Sequence, residues 1–145
     1  MIENQGWAAG KILLPGFFYR KRGDYMSYRI ALASSDGRHI DRHFGHSDGF
    51  VIVEVEPGGK FVEQERRQAQ APCQHGFHEE GAMQAAVRAL RDCRYVVAEA
   101  IGPGAQKALE QQDILPLEIE GTTVADAVQK IYVYEKNKQR ASVRA

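Results

Sequence analysis

The stretch Tyr28-Arg29-Ile30-Ala31-Leu32-Ala33-Ser34 indicates the fold class of this chain. Its centre, from Ile30 to Ala33, is a continuous apolar run, which is typical of a strand that is covered on both faces of its sheet. Turn chemistry follows at once in Ser34-Ser35-Asp36-Gly37. We therefore expect a central strand over residues 28–34 in a sheet that carries helices on both sides.

The sequence after this strand predicts a hairpin and then alternating helices and strands. Residues 50–56 and 60–67 have strand character, and the short turn Pro57-Gly58-Gly59 between them requires an antiparallel pair. Met83, Ala86, Val87 and Leu90 recur at helical spacing. The remaining predicted elements are a helix over 79–91, a strand over 95–98, a helix over about 103–112, an edge strand over 114–117 and a helix over 124–134.

This order predicts an α/β fold in a single domain. Because strands separated by helices must run parallel while the hairpin is antiparallel, the sheet should be mixed. We expect a three-layer α/β/α arrangement with five strands.

Composition limits the domain count and the class of protein. The chain has 145 residues, which suits one domain, over residues 26–134. We expect residues 1–25 to be an N-terminal extension that forms a disordered tail. The alternative is a short arm that packs on the domain through Trp7, Phe17 and Phe18. Residues 135–145 should form a polar, basic C-terminal tail.

Charge, apolar runs and cysteine content argue against nucleic-acid binding, a membrane span and a disulfide scaffold. Lys+Arg and Asp+Glu number 19 each, which argues against an electrostatic nucleic-acid binder. No run is long enough to span a membrane, and no signal peptide is recognised. Two cysteines are too few for a disulfide scaffold, so we expect a cytoplasmic protein with reduced thiols, and we interpret Cys93 as a small buried apolar residue.

Residues that can bind a ligand gather in three loops. In a sheet of this kind ligands bind beyond the carboxyl ends of the strands, where residues 34–49, 68–81 and 99–104 should meet. The first loop holds His39, His43 and His46 with Asp36 and Asp41. We therefore expect a composite site.

The histidines and one cysteine are candidate metal ligands. His43 and His46 are three apart and can ligate a metal through imidazole nitrogen, the alternative being that one of them only shapes the loop. Cys73, His75 and His78 also have suitable donor atoms, although their spacing is not a standard zinc pattern. We interpret His39 as solvent-facing.

The other candidates are the residues that would receive an anion or shape the loop. Gly102-Pro103-Gly104 begins a predicted helix, and its N–H groups favour an anion, unless it is simply a tight turn. Arg42, with Arg38, could stabilise a polyanionic ligand. Gly45 should permit either a special backbone conformation or close approach of a ligand. We interpret Asp36 and Asp41 as turn residues, and Phe44 as an apolar anchor of the loop.

Three motifs resemble those of a known family. These are Ile30-Ala31-Leu32-Ala33-Ser34-Ser35-Asp36-Gly37, then Ile40-Asp41-Arg42-His43-Phe44-Gly45-His46, and later Ala100-Ile101-Gly102-Pro103-Gly104-Ala105. They look like the dinitrogenase iron–molybdenum cofactor biosynthesis family, which includes nitrogenase accessory carriers, a domain of the cofactor-synthesis radical enzyme and the molybdenum–copper orange protein. The resemblance covers residues 28–134.

The resemblance implies a ribonuclease-H-like α/β motif and a binding function. The ligand would be an iron–sulfur, iron–molybdenum or other molybdenum-containing metal–sulfur cluster, stored or delivered to cofactor-assembly or acceptor proteins without catalysis. His43 would be its main contact. This chain departs from the family at Glu99, where small residues are usual, so that a carboxylate is expected beside the site. A radical-enzyme cysteine motif is absent from the sequence.

Two other functions are compatible with the sequence. A ribonuclease-H-like phosphodiesterase would bind two Mg²⁺ ions through Asp36, Asp41, Glu54 and Glu99, although the balanced charge predicts poor attraction for nucleic acid. A protein-interaction or sensor module would instead use residues 1–25 and the basic tail to bind a partner.

Overall fold

The computed structural model describes residues 27–68 and 80–144, which form five strands and three helices. The predicted arm or extension over residues 1–25 therefore lies outside the described residues. The elements are β1 (Tyr28–Ala33), β2 (Gly49–Val55), β3 (Phe61–Gln68), α1 (Glu80–Arg88), β4 (Tyr95–Ala98), α2 (Pro103–Gln111), β5 (Leu115–Glu118) and α3 (Val124–Arg144).

The strands form one mixed sheet in the order β3-β2-β1-β4-β5. Strands β1 and β2 are antiparallel, as are β2 and β3, whereas β4 is parallel to both β1 and β5. The mixed five-stranded α/β sheet expected from the sequence is thus confirmed. Strand β5 lies at an edge, as Pro116 predicted, since proline cannot donate a hydrogen bond to a further strand.

Helices cover both faces of the sheet. The central strand alternates between them: Ala31 and Ala33 pack with α1 and α2, whereas Ile30 and Leu32 pack with α3. All four side chains are fully buried. The uninterrupted apolar run from Ile30 to Ala33 is explained by this arrangement, because none of these four positions faces water.

Helix α3 is longer than predicted. It ends at Arg144 rather than at residue 134, so the residues expected to form a separate C-terminal tail continue the helix. Glu135 is only 3% exposed, and its carboxylate accepts a hydrogen bond from the Arg94 guanidinium. The polar composition of this segment hid the continuation, because the partner that allows Glu135 to be buried lies 41 positions earlier in the sequence.

Two buried tyrosines lie beside this ion pair. The rings of Tyr28 and Tyr95 are 5.9 Å apart, and the Arg94 guanidinium lies over the Tyr28 ring at 5.0 Å. Burial, and after it the negative charge of Glu135, raises the pKa of both phenols well above its usual range. These two tyrosines and the ion pair join α3 to the start of β1 and β4, at the opposite end of the sheet from the histidine loop.

Within residues 27–68 and 80–144, no helix is both long enough and apolar enough to cross a bilayer.

Candidate functional site

The loop between β1 and β2 crosses the end of the sheet and is anchored on both faces. Ile40 is buried in the apolar cluster on the α3 side, and Phe44 in the cluster on the α1 and α2 side. The Phe44 ring packs against Phe50 with 5.8 Å between centroids. The expected anchoring role of Phe44 is confirmed. Asp41, Arg42 and His43 lie between the two anchors and are exposed.

Backbone hydrogen bonds join this loop to two others. On the α3 side, the Ile40 N–H donates to the Thr122 carbonyl at 3.0 Å. On the other side, the Glu99 N–H donates to the Arg42 carbonyl and the Phe44 N–H donates to the Ala100 carbonyl, both at 2.9 Å. His43 and Ala100 therefore form a short parallel bridge. Two of the three loops expected to converge, residues 34–49 and 99–104, do meet.

Asp36 and Asp41 hold the loop together, as their interpretation as turn residues implies. The Asp36 carboxylate accepts hydrogen bonds from the N–H groups of Arg38 at 2.8 Å and His39 at 2.9 Å. The His39 ring, and then these two N–H groups, hold the pKa of Asp36 well below its usual range. Asp41 accepts hydrogen bonds from the N–H and hydroxyl of Ser35.

His43 and His39 are equally exposed but differ in their surroundings. The His39 Nδ1 atom lies 2.8 Å from Asp36 Oδ2, so this ring is oriented by a residue of its own turn. The His43 Nε2 atom lies 3.8 Å from Glu99 Oε1, beyond hydrogen-bond distance. Their side chains are 59% and 60% exposed. Of these two histidines, His43 is therefore the one that lies where residues 34–49 meet residues 99–104.

His46 is the second histidine near this junction. It ends a 3-10 turn, Phe44–His46, in which its N–H donates to the His43 carbonyl at 3.1 Å. The two imidazole rings have centroids 6.4 Å apart and planes inclined at 54°. The turn thus places two exposed imidazoles and the Glu99 carboxylate in one region.

Gly45 lies within the 3-10 turn, so the special backbone conformation proposed for it is not found. Among the described residues, the glycines with positive φ are Gly37, Gly59 and Gly121. At Gly37, with φ of +81°, an added Cβ would lie 1.6 Å from the Arg66 guanidinium, which donates to the Asp36 carbonyl. The glycine that the loop requires is therefore Gly37, a position that the sequence had indicated only as a turn.

Gly102, Pro103 and Gly104 form the exposed start of α2, as predicted. Gly102 has φ of −63°, which any residue can adopt. A Cβ added at Gly102 or Gly104 would meet nothing within 4 Å. Neither backbone strain nor packing of the described residues requires glycine at these two positions.

An open pocket of about 580 Å³ lies beside the loop, at the carboxyl end of β1. Its lining residues are Ser34, Ser35, Arg42, Asp48, Gly49, Phe50, Val51, Arg66, Arg67 and Gln68. The Arg67 guanidinium donates a hydrogen bond to the Asp92 carboxylate at 2.7 Å, and the Arg66 guanidinium donates one to the Asp36 carbonyl at 3.0 Å. In the described ranges Arg42 makes no ion pair, so it is the arginine here that can respond to an anionic ligand.

Residues 69–79, the greater part of the third expected loop, lie outside the described residues. Cys73, His75 and His78 lie outside the described residues, so their expected role as metal ligands stays a prediction. In the part of the chain that is described, no three His, Cys, Asp or Glu side chains come together as a metal site. Cys93 is buried, as interpreted from the sequence, and burial raises the pKa of its thiol to about 12.

Glu118 also contributes to the site and was not predicted. Its carboxylate accepts a hydrogen bond from the Ile101 N–H at 2.8 Å, which fixes the entry to Gly102. The topology contained the signal, because Glu118 ends a strand that is parallel to β4 and so reaches the same edge of the sheet. The contact of Arg66 with Gly37 had no such signal.

Fold and site together define a three-layer α/β/α domain whose exposed histidine, carboxylate and helix start lie beyond the carboxyl ends of parallel strands. The sequence profile of the dinitrogenase iron–molybdenum cofactor family matches residues 26–134. The chain therefore belongs to this family, as its motifs had indicated.

Two proteins of similar sequence differ in how much of their length this chain covers. Over 94 residues, 64% of this chain, it is 34% identical to the FeMo cofactor biosynthesis protein NifB of Herbaspirillum seropedicae. That alignment covers 18% of the relative, so the chain spans about a fifth of its length. It is 28% identical to the protein NifX of Klebsiella pneumoniae over 120 residues, which are 81% of this chain and 74% of NifX.

Solved structures share the fold. The protein PH0822 superposes with a TM-score of 0.54 at 21% identity, over 72% of this chain and 89% of its own. A protein of Methanocaldococcus jannaschii superposes with a TM-score of 0.51 at 14% identity, over 76% of this chain and 92% of its own.

Proposed function

We propose that this domain binds and carries a metal–sulfur cluster of the iron–molybdenum, iron–sulfur or other molybdenum-containing type, without catalysing a reaction on it. It would act in the cytoplasm, receiving the cluster from one cofactor-assembly protein and delivering it to another. Family membership and the similarity to NifB and NifX support a role in cofactor assembly. The ribonuclease-H-like motif belongs to this proposal too, supported by the strand order β3-β2-β1-β4-β5.

The observation that carries the proposal is the placement of His43. Its backbone is held between two anchored residues and bridged to Ala100, while its side chain is 60% exposed. An imidazole on a rigid backbone can bind a cluster metal atom with little loss of conformational entropy. It can also release the cluster, because the exposed side leaves a path for a partner protein. Exposure suits a carrier better than a permanent metal centre.

Other groups at the same end of the sheet suit a large sulfide-rich ligand. The exposed start of α2 offers backbone N–H groups and the positive end of a helix dipole. Gly102 and Gly104 leave open space above this backbone. Arg42 adds a positive charge that no described residue neutralises. His46, Gly45 and residues Cys73, His75 and His78 remain proposed contacts.

The phosphodiesterase alternative is not favoured. Asp36 and Asp41 direct their carboxylates into hydrogen bonds of their own loop. Glu54 pairs with Arg29 at 3.2 Å, away from Glu99. A two-metal mechanism needs several carboxylates to face the same ions, which these contacts do not provide.

The proposal is tested by anaerobic reconstitution, with iron and sulfide or with tetrathiomolybdate and copper. Cluster binding should give visible absorption that His43→Ala reduces strongly. His39→Ala is the matched control, because this histidine lies in the same loop, is equally exposed and is oriented by Asp36. Equal absorption of wild type and His43→Ala would remove His43 from the site, and equal loss in both variants would show a general effect on the loop.

A further inference from the structure

We propose that Glu99 determines the charge selectivity of the His43 site, favouring a cationic metal centre over a polyanionic one. The preferred ligand would be a divalent ion, or a cluster that presents an exposed cationic metal atom. This inference rests on the proposed function, since it assigns the class of ligand that the same site accepts.

The backbone places the Glu99 carboxylate beside the His43 imidazole. The Glu99 N–H bond to the Arg42 carbonyl and the Phe44 N–H bond to the Ala100 carbonyl fix the two backbones next to each other. As a result Glu99 Oε1 lies 3.8 Å from His43 Nε2. Two donor atoms bound to one tetrahedral metal ion at about 2.1 Å would lie about 3.4 Å apart. A small side-chain rotation would therefore bring both atoms onto the same metal.

Within the described residues, His43 Nε2 and Glu99 Oε1 form no hydrogen bond and no other ion pair. At 3.8 Å the imidazole and the carboxylate do not hydrogen-bond to each other. In the described residues no arginine or lysine forms an ion pair with Glu99, so its negative charge is not neutralised. Glutamate and histidine supply the oxygen and nitrogen donors that first-row divalent metals accept.

The negative charge of Glu99 also acts on the charge of a ligand bound at His43. Glu99 is 34% exposed, so its field acts through solvent on a ligand bound at His43. A unit charge at about 4 Å in water changes affinity roughly fivefold for each charge on the ligand, and salt weakens the effect. The carboxylate therefore opposes a dianion such as tetrathiomolybdate and attracts a dication, in addition to any direct bond to the metal.

The test compares two probes, Co²⁺ alone and tetrathiomolybdate alone, by anaerobic calorimetry and absorption at low and high ionic strength. The variants are Glu99→Gln, Glu99→Asp and His43→Ala. Glu110→Gln is the matched control, because it removes the same charge from an exposed position near the far end of α2. Circular dichroism verifies that each variant is folded.

Glu99→Gln should weaken Co²⁺ binding and strengthen tetrathiomolybdate binding, each roughly 25-fold at low ionic strength because both probes carry two charges, with the effect on tetrathiomolybdate shrinking at high ionic strength. Glu99→Asp should keep the wild-type order of preference, and Glu110→Gln should change neither affinity. The inference is overturned if wild type does not bind Co²⁺, or if Glu99→Gln leaves both affinities unchanged or shifts both in the same direction. His43→Ala separates the two claims: tetrathiomolybdate binding that survives this change overturns the proposed function itself.

Discussion

Replacing Phe44 with alanine should destabilise the fold and release the histidine loop. The Phe44 side chain is fully buried, and it contacts the Phe50 ring and the apolar cluster beneath α1 and α2. Core phenylalanine-to-alanine changes lower the free energy of unfolding by about 3–5 kcal/mol. We expect the lower end, about 3 kcal/mol, because a loop residue at the end of the sheet can move inward and partly fill the cavity.

Urea denaturation followed by far-ultraviolet circular dichroism measures this loss. With a slope of about 1.5 kcal/mol per molar urea, a loss of about 3 kcal/mol lowers the midpoint by about 2 M. Hydrogen exchange should show a second effect. The amide protons of Glu99 and Phe44, which bond across the two loops, should lose protection more than those of the central strand β1.

Phe44→Leu is the control, because it keeps most of the apolar volume and should lower the free energy of unfolding by less than about 1.5 kcal/mol. A loss below about 1 kcal/mol in Phe44→Ala, with unchanged exchange at Glu99, would show that the loop is not anchored through this ring. The rigid placement of His43 would then have no basis.

Three further changes test other contacts. Asp92 accepts hydrogen bonds from Arg67, which hold its pKa well below the usual range. Asp92→Asn should lower the free energy of unfolding by about 1 kcal/mol at neutral pH, after allowance for its 39% exposure. Acid titration of unfolding should show this difference begin to shrink below about pH 4 and disappear only as the pH falls through the lower pKa of the folded state. Glu135→Gln should lower the free energy of unfolding by about 2 kcal/mol in urea, because it removes the charged partner of Arg94. Gly102→Ala should leave the melting temperature nearly unchanged, because the added methyl group meets no other atom of the described residues. The same change should weaken cluster binding, because the methyl group fills the space that the cluster would occupy.

The sign of the acid effect follows from the direction of the shift. A carboxyl whose pKa is depressed in the folded state stabilises the protein above the unfolded pKa and loses this contribution as pH falls through the folded value. A difference between wild type and Asp92→Asn that grows in acid would contradict the assignment. An unchanged free energy of unfolding in Glu135→Gln would contradict the buried ion pair. A large loss of stability in Gly102→Ala would contradict the open space above the helix start.

The fold could be predicted where the signals are local or periodic. Met83, Ala86, Val87 and Leu90 repeat at helical spacing, and α1 begins within one residue of the predicted start. Pro116 indicated an edge strand, because its missing N–H prevents a further pairing. The meeting of residues 34–49 with 99–104 followed from the topology alone, since parallel strands end at one edge of the sheet.

The remaining features depend on pairings between distant residues. The burial of Glu135 requires Arg94, and the Arg66 guanidinium of another strand closes the space above Gly37, whose positive φ already favours glycine. Neither contact leaves a pattern within its own segment. The difference between His39 and His43 likewise depends on the carboxylate that each ring faces, which composition does not reveal.

We propose that the cluster binds at the carboxyl end of the sheet, on His43. The most direct measurement is a ¹H–¹⁵N chemical-shift titration of the folded protein with tetrathiomolybdate under anaerobic conditions. We expect the amide signals of residues 42–46, 99–102 and 104 to shift together and saturate, while those of residues 89–94 and 112–114, at the other end, stay in place. Shifts confined to the other end, or no saturable shifts, would contradict it.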